Sequence, residues 1–273
     1  MKNNWLVFTD LDGTLLDFDT YDFSRALPAI DFLKKEQIPI IPCTSKTIEE
    51  VRELRKKLGL HDPFIVENGS AILFEANYFP ENFEARSLDG LKAVILGKPR
   101  NEILTFFKEF KKRFALNVKG FSEMNVEEIC RLTRLSEHEA RLAGERKFSE
   151  PMVSFEQTDL LSRKELIEFV QHHGYRLLRG NRFYHLIGHC DKGQAVKKLT
   201  QMFEKAFGKP FKTMGLGDSK NDLEMLKVVN QPIIIRKKDG NFVHLEGILN
   251  LYVSQQAGPA GWAEAVLKFL KFN

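Results

Sequence analysis

Trp5-Leu6-Val7-Phe8-Thr9-Asp10-Leu11-Asp12-Gly13-Thr14 is the stretch on which the fold turns. Residues 5–9 carry no charge and form one hydrophobic run, the pattern of a strand covered on both faces, as in a parallel sheet. The run breaks at once into two aspartates and a glycine turn. A second uncharged run, 213–217, ends the same way, in Gly217-Asp218-Ser219-Lys220-Asn221-Asp222. Strands of one parallel sheet deliver their carboxyl ends to one edge, so the sequence predicts four carboxylates meeting there.

Around these runs the spacing alternates strand and helix. Helix is predicted over 28–37, with Ile30, Phe32 and Leu33 on one side, and strand over 38–43, where Pro39 and Pro42 argue against a complete ladder. Thr44-Ser45-Lys46-Thr47 offers capping hydroxyls to a helix whose Ile48, Val51, Leu54 and Leu58 recur at helical steps until Gly59. A strand over 64–66 returns as a hairpin over 71–74. Near Pro80, Asn82 and Gly90 the rhythm loosens, and a differently paced block follows. Its strands are expected at 93–96, 152–155, 175–179 and 183–187, the last two joined at Gly180-Asn181, and its helices at 101–114, 126–132, 136–146 and 162–173. From about 190 the alternation resumes with a helix over 193–207, a strand over 211–216, a helix over 222–229, a strand over 232–236 and a closing helix over 260–271. The expected architecture is α/β: a doubly wound Rossmann-like parallel sheet core formed by 1–82 and 189–273, interrupted by an inserted α/β cap domain over 83–188.

Composition bounds the function. The 273 residues are 43% hydrophobic and 29% charged, enough to bury a core, which excludes disorder, collagen and a disulfide miniprotein. The net charge of +4 comes from short runs such as Arg55-Lys56-Lys57 and Lys111-Lys112-Arg113, interleaved with Glu and Phe. They read as solvated helix faces rather than a nucleic-acid patch. No apolar run reaches the ~18 residues of a membrane span, and no secretory leader is evident, so a cytoplasmic protein without membrane partners is expected. Cys43, Cys130 and Cys190 are widely spaced and read as reduced thiols. His185, His189 and Cys190 lack the paired spacing of a zinc site. There is no GxxxxGK[ST] loop, and Gly215-Leu216-Gly217 lacks the third glycine of a dinucleotide loop.

Unpaired carboxylates packed together repel and raise one another's pKa values, so an ionised cluster of this kind usually holds a cation. Oxygen ligands at an open sheet edge suit Mg²⁺, which shares its remaining positions with water and a substrate phosphate. A carboxylate is also a competent nucleophile toward phosphorus.

Asp10-Leu11-Asp12-Gly13-Thr14-Leu15, Thr44-Ser45-Lys46, Asp191-Lys192-Gly193 and Gly217-Asp218-Ser219-Lys220-Asn221-Asp222, in that order, resemble the four motifs of the haloacid dehalogenase-like superfamily, and the insert between the second and third resembles the large cap of subclass IIB. The resemblance implies Asp10 as nucleophile and metal ligand and Asp12 as general acid and base, its backbone carbonyl also on Mg²⁺. It further implies Asp218 as a metal ligand, Asp222 ligating or orienting from nearby, Thr44 and Ser45 as donors to phosphoryl oxygens, and Lys192 offsetting charge. Asp12 points to a phosphatase, since superfamily dehalogenases have no leaving oxygen to protonate.

A narrower resemblance, to mannosyl-3-phosphoglycerate phosphatases, rests on Glu67-Asn68-Gly69-Ser70, on the stretch 146–151, where Lys147 replaces that family's usual acidic residue, and on 180–186. It implies Mg²⁺-dependent hydrolysis of mannosyl-3-phosphoglycerate to mannosylglycerate and phosphate through an aspartyl-phosphate. The glucosyl analogue or another small sugar phosphate is the alternative. Such a substrate carries phosphate, carboxylate and hydroxyls, so Arg146, Arg179, Arg182 and His185 are the cap candidates for contacting it. Ser45, Lys46, Asn68 and Gly69 stand near the acids, and Asn221 either fixes Lys192 or the phosphate or caps the following helix. Two other classes stay open: a phosphate-sensing module without turnover and a basic RNA-binding protein. Oligomeric state is not specified by these residues.

Overall fold

A computed structural model describes residues 3–271. The first part of the chain runs β1 (Trp5–Thr9), α1 (Leu27–Lys35), β2 (Ile40–Pro42), α2 (Ile48–Leu58), β3 (Phe64–Val66), β4 (Ala71–Phe74), β5 (Arg86–Leu88) and β6 (Leu91–Ile95). The middle adds α3 (Arg100–Arg113), β7 (Val118–Gly120), α4 (Val126–Thr133), α5 (Glu137–Gly144), β8 (Ser149–Ser154), α6 (Lys164–His172), β9 (Tyr175–Arg179) and β10 (Tyr184–Gly188). The last part is α7 (Lys192–Phe207), β11 (Lys212–Gly217), α8 (Leu223–Leu226), β12 (Gln231–Arg236), β13 (Tyr252–Ala257) and α9 (Gly258–Leu270).

The parallel sheet has the order β13-β12-β11-β1-β2. β1 is buried on both faces because its alternate side chains serve two cores. Val7 packs into a cluster with Ile30, Val51 and Trp262, on the face covered by α1, α2 and α9. Leu6 and Phe8 pack with Leu199, Phe203 and Met225, on the face covered by α7 and α8. This is the doubly wound α/β core that the hydrophobic runs predicted. The α2 start is fixed by a capping box in which Thr47 Oγ1 accepts from Glu50 N while the Glu50 carboxylate accepts from Thr47 N.

The proline-bearing β2 is short. On its outer side it meets β3 only through the parallel bridge Cys43–Ile65, after which the chain turns antiparallel in the sheet β3-β4-β6-β5. The strand expected over 93–96 within the inserted block is β6, and it pairs with β4 instead; Leu91 and Ala93 join the core cluster of α1, α2 and α9. A separate antiparallel sheet, β7-β8-β10-β9, carries a cluster of its own in which Ile103, Phe107 and Phe110 of α3 meet Leu166 and Val170 of α6. α4 and α5 make a smaller cluster with Phe121 and Phe183. Among the described residues no helix is long and apolar enough to cross a membrane.

Candidate active site

The carboxyl ends of β1 and β11 bring the two acidic loops together. Asp10 N donates to Leu216 O at 2.8 Å, and Trp262 Nε1 on α9 donates at 2.9 Å to Thr9 Oγ1, which donates at 2.6 Å to the Asp10 carbonyl. The end of β1 is thereby pinned from within the core. Gly13, at φ +85°, allows the chain to fold back beneath Asp218, since a Cβ there would lie 2.6 Å from Asp218 Oδ2. The first residue of α7, Lys192, is buried and donates from Nζ to Asp10 Oδ1 and Asp222 Oδ1, each at 2.6 Å. Asp222 Oδ2 accepts from the backbone N–H groups of Asp218 and Ser219, both at 3.1 Å. Both Asp222 oxygens are therefore engaged, and its geometry is that of a group orienting Lys192 and the 218–219 loop.

Asp10, Asp218 and Asp222 offer carboxylate oxygens within 4.8 Å of one another. Burial raises the Asp10 pKa, opposed by Lys192 and reinforced by the Asp222 and Asp218 charges. Burial, and then Asp222, pushes the Asp218 carboxyl up to about 7. Burial opposes the Lys192 ammonium, but Asp10 and Asp222 outweigh it and raise its pKa. When ionised, three carboxylates around a single buried ammonium leave two negative charges uncompensated. Among the described residues no cation pairs with Asp218, so this donor set fits a hard divalent cation at Asp10 and Asp218.

A cavity of about 80 Å³ lies between this cluster and the inserted block. Asp10, Asp12, Ser45, Lys46 and Asn221 face it from below, and Arg146, Arg182 and His185 from above. Asp12 Oδ2 pairs with Lys46 Nζ at 3.2 Å, while its Oδ1 is buried and has no hydrogen-bond partner among the described residues. Lys46 also pairs with Glu50 at 3.1 Å. Thr44 is buried, and its hydroxyl accepts from Lys46 N at 3.2 Å. His185 is buried with Nδ1 unpartnered; burial, and then Arg146 and Lys192, pushes its pKa down to about 3, so the ring is neutral.

Several expected contacts are engaged elsewhere. Arg146 donates to the Ser45 carbonyl at 2.5 Å and the Ala143 carbonyl at 2.9 Å. Arg182 donates to the Tyr21 hydroxyl at 2.6 Å, the Phe18 carbonyl at 2.8 Å and the Thr133 carbonyl, tying the β9–β10 turn to the core. Arg179 stands off the cavity, half exposed, against Tyr184 and Asp159. Asn221 bonds neither Lys192 nor the helix start; its Nδ2 donates to Asn68 Oδ1 at 3.2 Å, and its Oδ1 accepts from Ser219. Gly69, at φ +93°, supports the site through the backbone, because a Cβ there would strike the Asp191 carbonyl.

The haloacid dehalogenase-like hydrolase family matches this chain over residues 7–239. The chain belongs to that family. It is 41% identical over 268 residues to a glucosyl-3-phosphoglycerate/mannosyl-3-phosphoglycerate phosphatase of Persephonella marina, covering 97% of each chain. It is 34% identical over 269 residues to a protein of the same name from Methanococcoides burtonii, covering 98% of each. A solved haloacid dehalogenase-like hydrolase of Bacillus subtilis shares the fold, with a TM-score of 0.67, 17% identity and coverage of 99% of this chain and 100% of that one. As a member of this family with such relatives, the protein is a hydrolase of phosphate monoesters.

Within this hydrolase, motif reading missed three residues that hold the site together. Glu67, buried at φ 47°, accepts from Lys147 N at 2.9 Å, Phe148 N at 3.1 Å and Ser149 Oγ, joining the core to the start of β8. Glu50 holds Lys46 in place. Asn181, at the β9–β10 turn, reaches Asp218 at 3.0 Å. Glu50 left a trace as the third residue after a capping threonine, and Glu67 and Asn181 fall within the stretches 67–70 and 180–186 that carry the narrower resemblance, but the contacts they make are with residues remote in the chain.

Proposed function

We propose that this phosphatase hydrolyses a glycosyl-3-phosphoglycerate, with mannosyl-3-phosphoglycerate as substrate, through a phosphorylated Asp10 and with Mg²⁺ at the acidic cluster. The reading is supported above all by the Asp10–Lys192–Asp222 array beside an uncompensated Asp218. Asp10 Oδ attacks phosphorus, and the bond from phosphorus to the glycerate oxygen breaks. Asp12, which lines the cavity, gives its proton to the departing oxygen. Asp12 then takes a proton from water; the hydroxide forms a bond to phosphorus as the Asp10–phosphorus bond breaks, and inorganic phosphate and the free acceptor result. Lys192 holds Asp10 in its attacking orientation and balances charge, while Thr44 and Ser45 supply hydrogen bonds to phosphoryl oxygens. Asp10 and Asp218 would hold the Mg²⁺, which when bound neutralises phosphoryl charge. Neutral His185 presents an open ring nitrogen for a hydroxyl, and Lys46 a cation for the carboxylate.

Phosphate release from a panel of sugar phosphates and glycosyl-3-phosphoglycerates, with and without Mg²⁺, tests the reading. The mannosyl compound should be the best substrate, release should require the cation, and Asp10→Asn should abolish it. Full activity of Asp10→Asn rejects the mechanism, and a dominant substrate outside the panel's phosphoglycerates rejects the specificity. Because the relatives' names include the glucosyl compound, equal kcat/KM for both epimers would assign dual specificity.

A further inference from the structure

The inserted block reaches the acidic cluster through one side chain that none of the four motifs contains. Asn181 stands at the tip of the β9–β10 turn, and its Nδ2 donates to Asp218 Oδ2 at 3.0 Å. Its Oδ1 accepts a long, exposed hydrogen bond from Lys237 Nζ at 3.5 Å. Asp218 Oδ2 is thus held by Asn181 on one side and lies against the backbone of Gly13 on another. Among the described residues Asp218 Oδ1, by contrast, has only a long contact of 3.4 Å from Thr14 Oγ1. One oxygen is fixed and the other is left for a ligand.

The turn that carries Asn181 is itself tied to the core by Arg182, through Tyr21 and Phe18. Asn181 also lies between two cavities, the one at Asp10 and Asp12 and a larger one of about 480 Å³ bounded by Gly13, Asp218 and Lys237. Lifting the turn would remove the amide from Asp218 and open the two spaces to each other.

We propose that Asn181 is a positioning residue whose amide orients the Asp218 carboxylate for the divalent cation, so that cation binding and the seating of the inserted block on the core favour one another. The proposal rests on the reading of Asp10 and Asp218 as a cation site. Hydrogen bonds to a ligating carboxylate typically change metal affinity by about 10–100-fold. Coupling of this kind is reciprocal, so a cation that gains affinity from the seated block must also stabilise its seating.

Two measurements on the full chain without substrate test this: calorimetric titration with Mg²⁺, and hydrogen exchange at the amides of Lys147 and Phe148, which Glu67 holds across the junction. In the unaltered chain Mg²⁺ should slow that exchange. Asn181→Ala should bind Mg²⁺ about 10–100-fold more weakly and lose the slowing. Asn181→Ser, too short to reach Asp218, should do the same. Arg134→Ala, which breaks the exposed 3.5 Å pair with Asp19 and leaves Asp218 untouched, should keep its affinity. Unchanged affinity in both Asn181 variants overturns the proposal, as does an equal loss in Arg134→Ala, which would trace the effect to a loosened block. Failure of the unaltered chain to bind Mg²⁺ removes the cation reading and this inference with it; binding that is indifferent to Asn181 removes the inference alone.

Discussion

Replacing Lys192 by methionine keeps an unbranched apolar side chain, one atom shorter, and deletes one charge. Lys192 is 1% exposed and bonds Asp10 and Asp222 at 2.6 Å each, so the change leaves a buried acidic cluster with no internal counter-charge. Removing one partner of a buried ion pair costs about 3–5 kcal/mol. At roughly 2–4 °C per kcal/mol for a chain of this size, the melting temperature at pH 8 without divalent cations should fall by about 6–20 °C. The loss depends on pH with a definite sign. Asp10 in the folded chain is already raised above its ordinary value of 3.8, and removal of Lys192, which opposes that rise, moves it higher. A carboxyl raised in the folded state is favoured when protonated, so the variant regains stability as pH falls from 8 toward 5 and loses it as pH rises. Saturating Mg²⁺ should restore more stability to Lys192→Met than it adds to the unaltered chain, because it meets a larger uncompensated charge. Thermal melts at pH 5 and 8, with and without Mg²⁺, measure all of this. A destabilisation below about 1 kcal/mol at pH 8, or one of equal size at both pH values, refutes the electrostatic account of the cluster.

Three further outcomes are expected. Gly13→Ala forces a Cβ to within 2.6 Å of Asp218 Oδ2 at φ +85°; it should destabilise the fold by more than about 1 kcal/mol and weaken Mg²⁺ binding, read by chemical unfolding and calorimetry. His185 titrates near 3, so His185→Asn should raise KM while leaving the shape of the kcat/KM profile between pH 5 and 9 unchanged; loss of a limb near pH 6–7 would show that the ring does titrate in catalysis. Glu67→Gln weakens three charge-assisted bonds to the 147–149 segment, so hydrogen exchange there should accelerate about tenfold or more, equivalent to at least ~1.4 kcal/mol.

The parallel core was legible because its strands are buried on both faces and read as unbroken apolar runs, and because Thr47 and Gly59 mark the ends of α2 by local capping chemistry. What local pattern does not encode was missed. β7 (Val118–Gly120) is three residues long and takes its strand character from pairing with β8. β13 (Tyr252–Ala257) is an edge strand with exposed polar positions, and only its ladder to β12 defines it. The strand at 91–95 was legible as a strand, but the choice of partner sheet depends on β4, whose pairing no periodicity specifies. The acidic loops were visible for the same reason as β1: charge at the end of a buried strand has few structural uses. For Arg182, a cation near a phosphate site reads as a ligand; the structure places it on the cavity wall with its donors engaged by Tyr21 and two backbone carbonyls, contacts that no local pattern encodes.

Asp10 and Asp12 differ in a way that matches the two duties proposed for them. The Asp10 side chain is 8% exposed and held by Lys192, whereas the Asp12 side chain is 33% exposed and tethered by Lys46 through Oδ2. An attacking oxygen must be oriented and shielded; a proton carrier must serve the leaving group first and water second, so it needs access to the cavity, which Asp12 lines. That cavity, at about 80 Å³, falls below the roughly 300–1,000 Å³ of small-molecule sites, and the proposed substrate requires it to widen. Widening breaks the bonds that cross it, Arg146 to the Ser45 carbonyl, Thr47 Oγ1 to the Leu142 carbonyl at 2.9 Å, and Arg182 to Phe18 and Tyr21. Glu67 adds a further tie between the core and the start of β8. Two of the side chains whose bonds resist opening, Arg146 and Arg182, also line the cavity, so a substrate entering it competes directly with contacts that keep it shut.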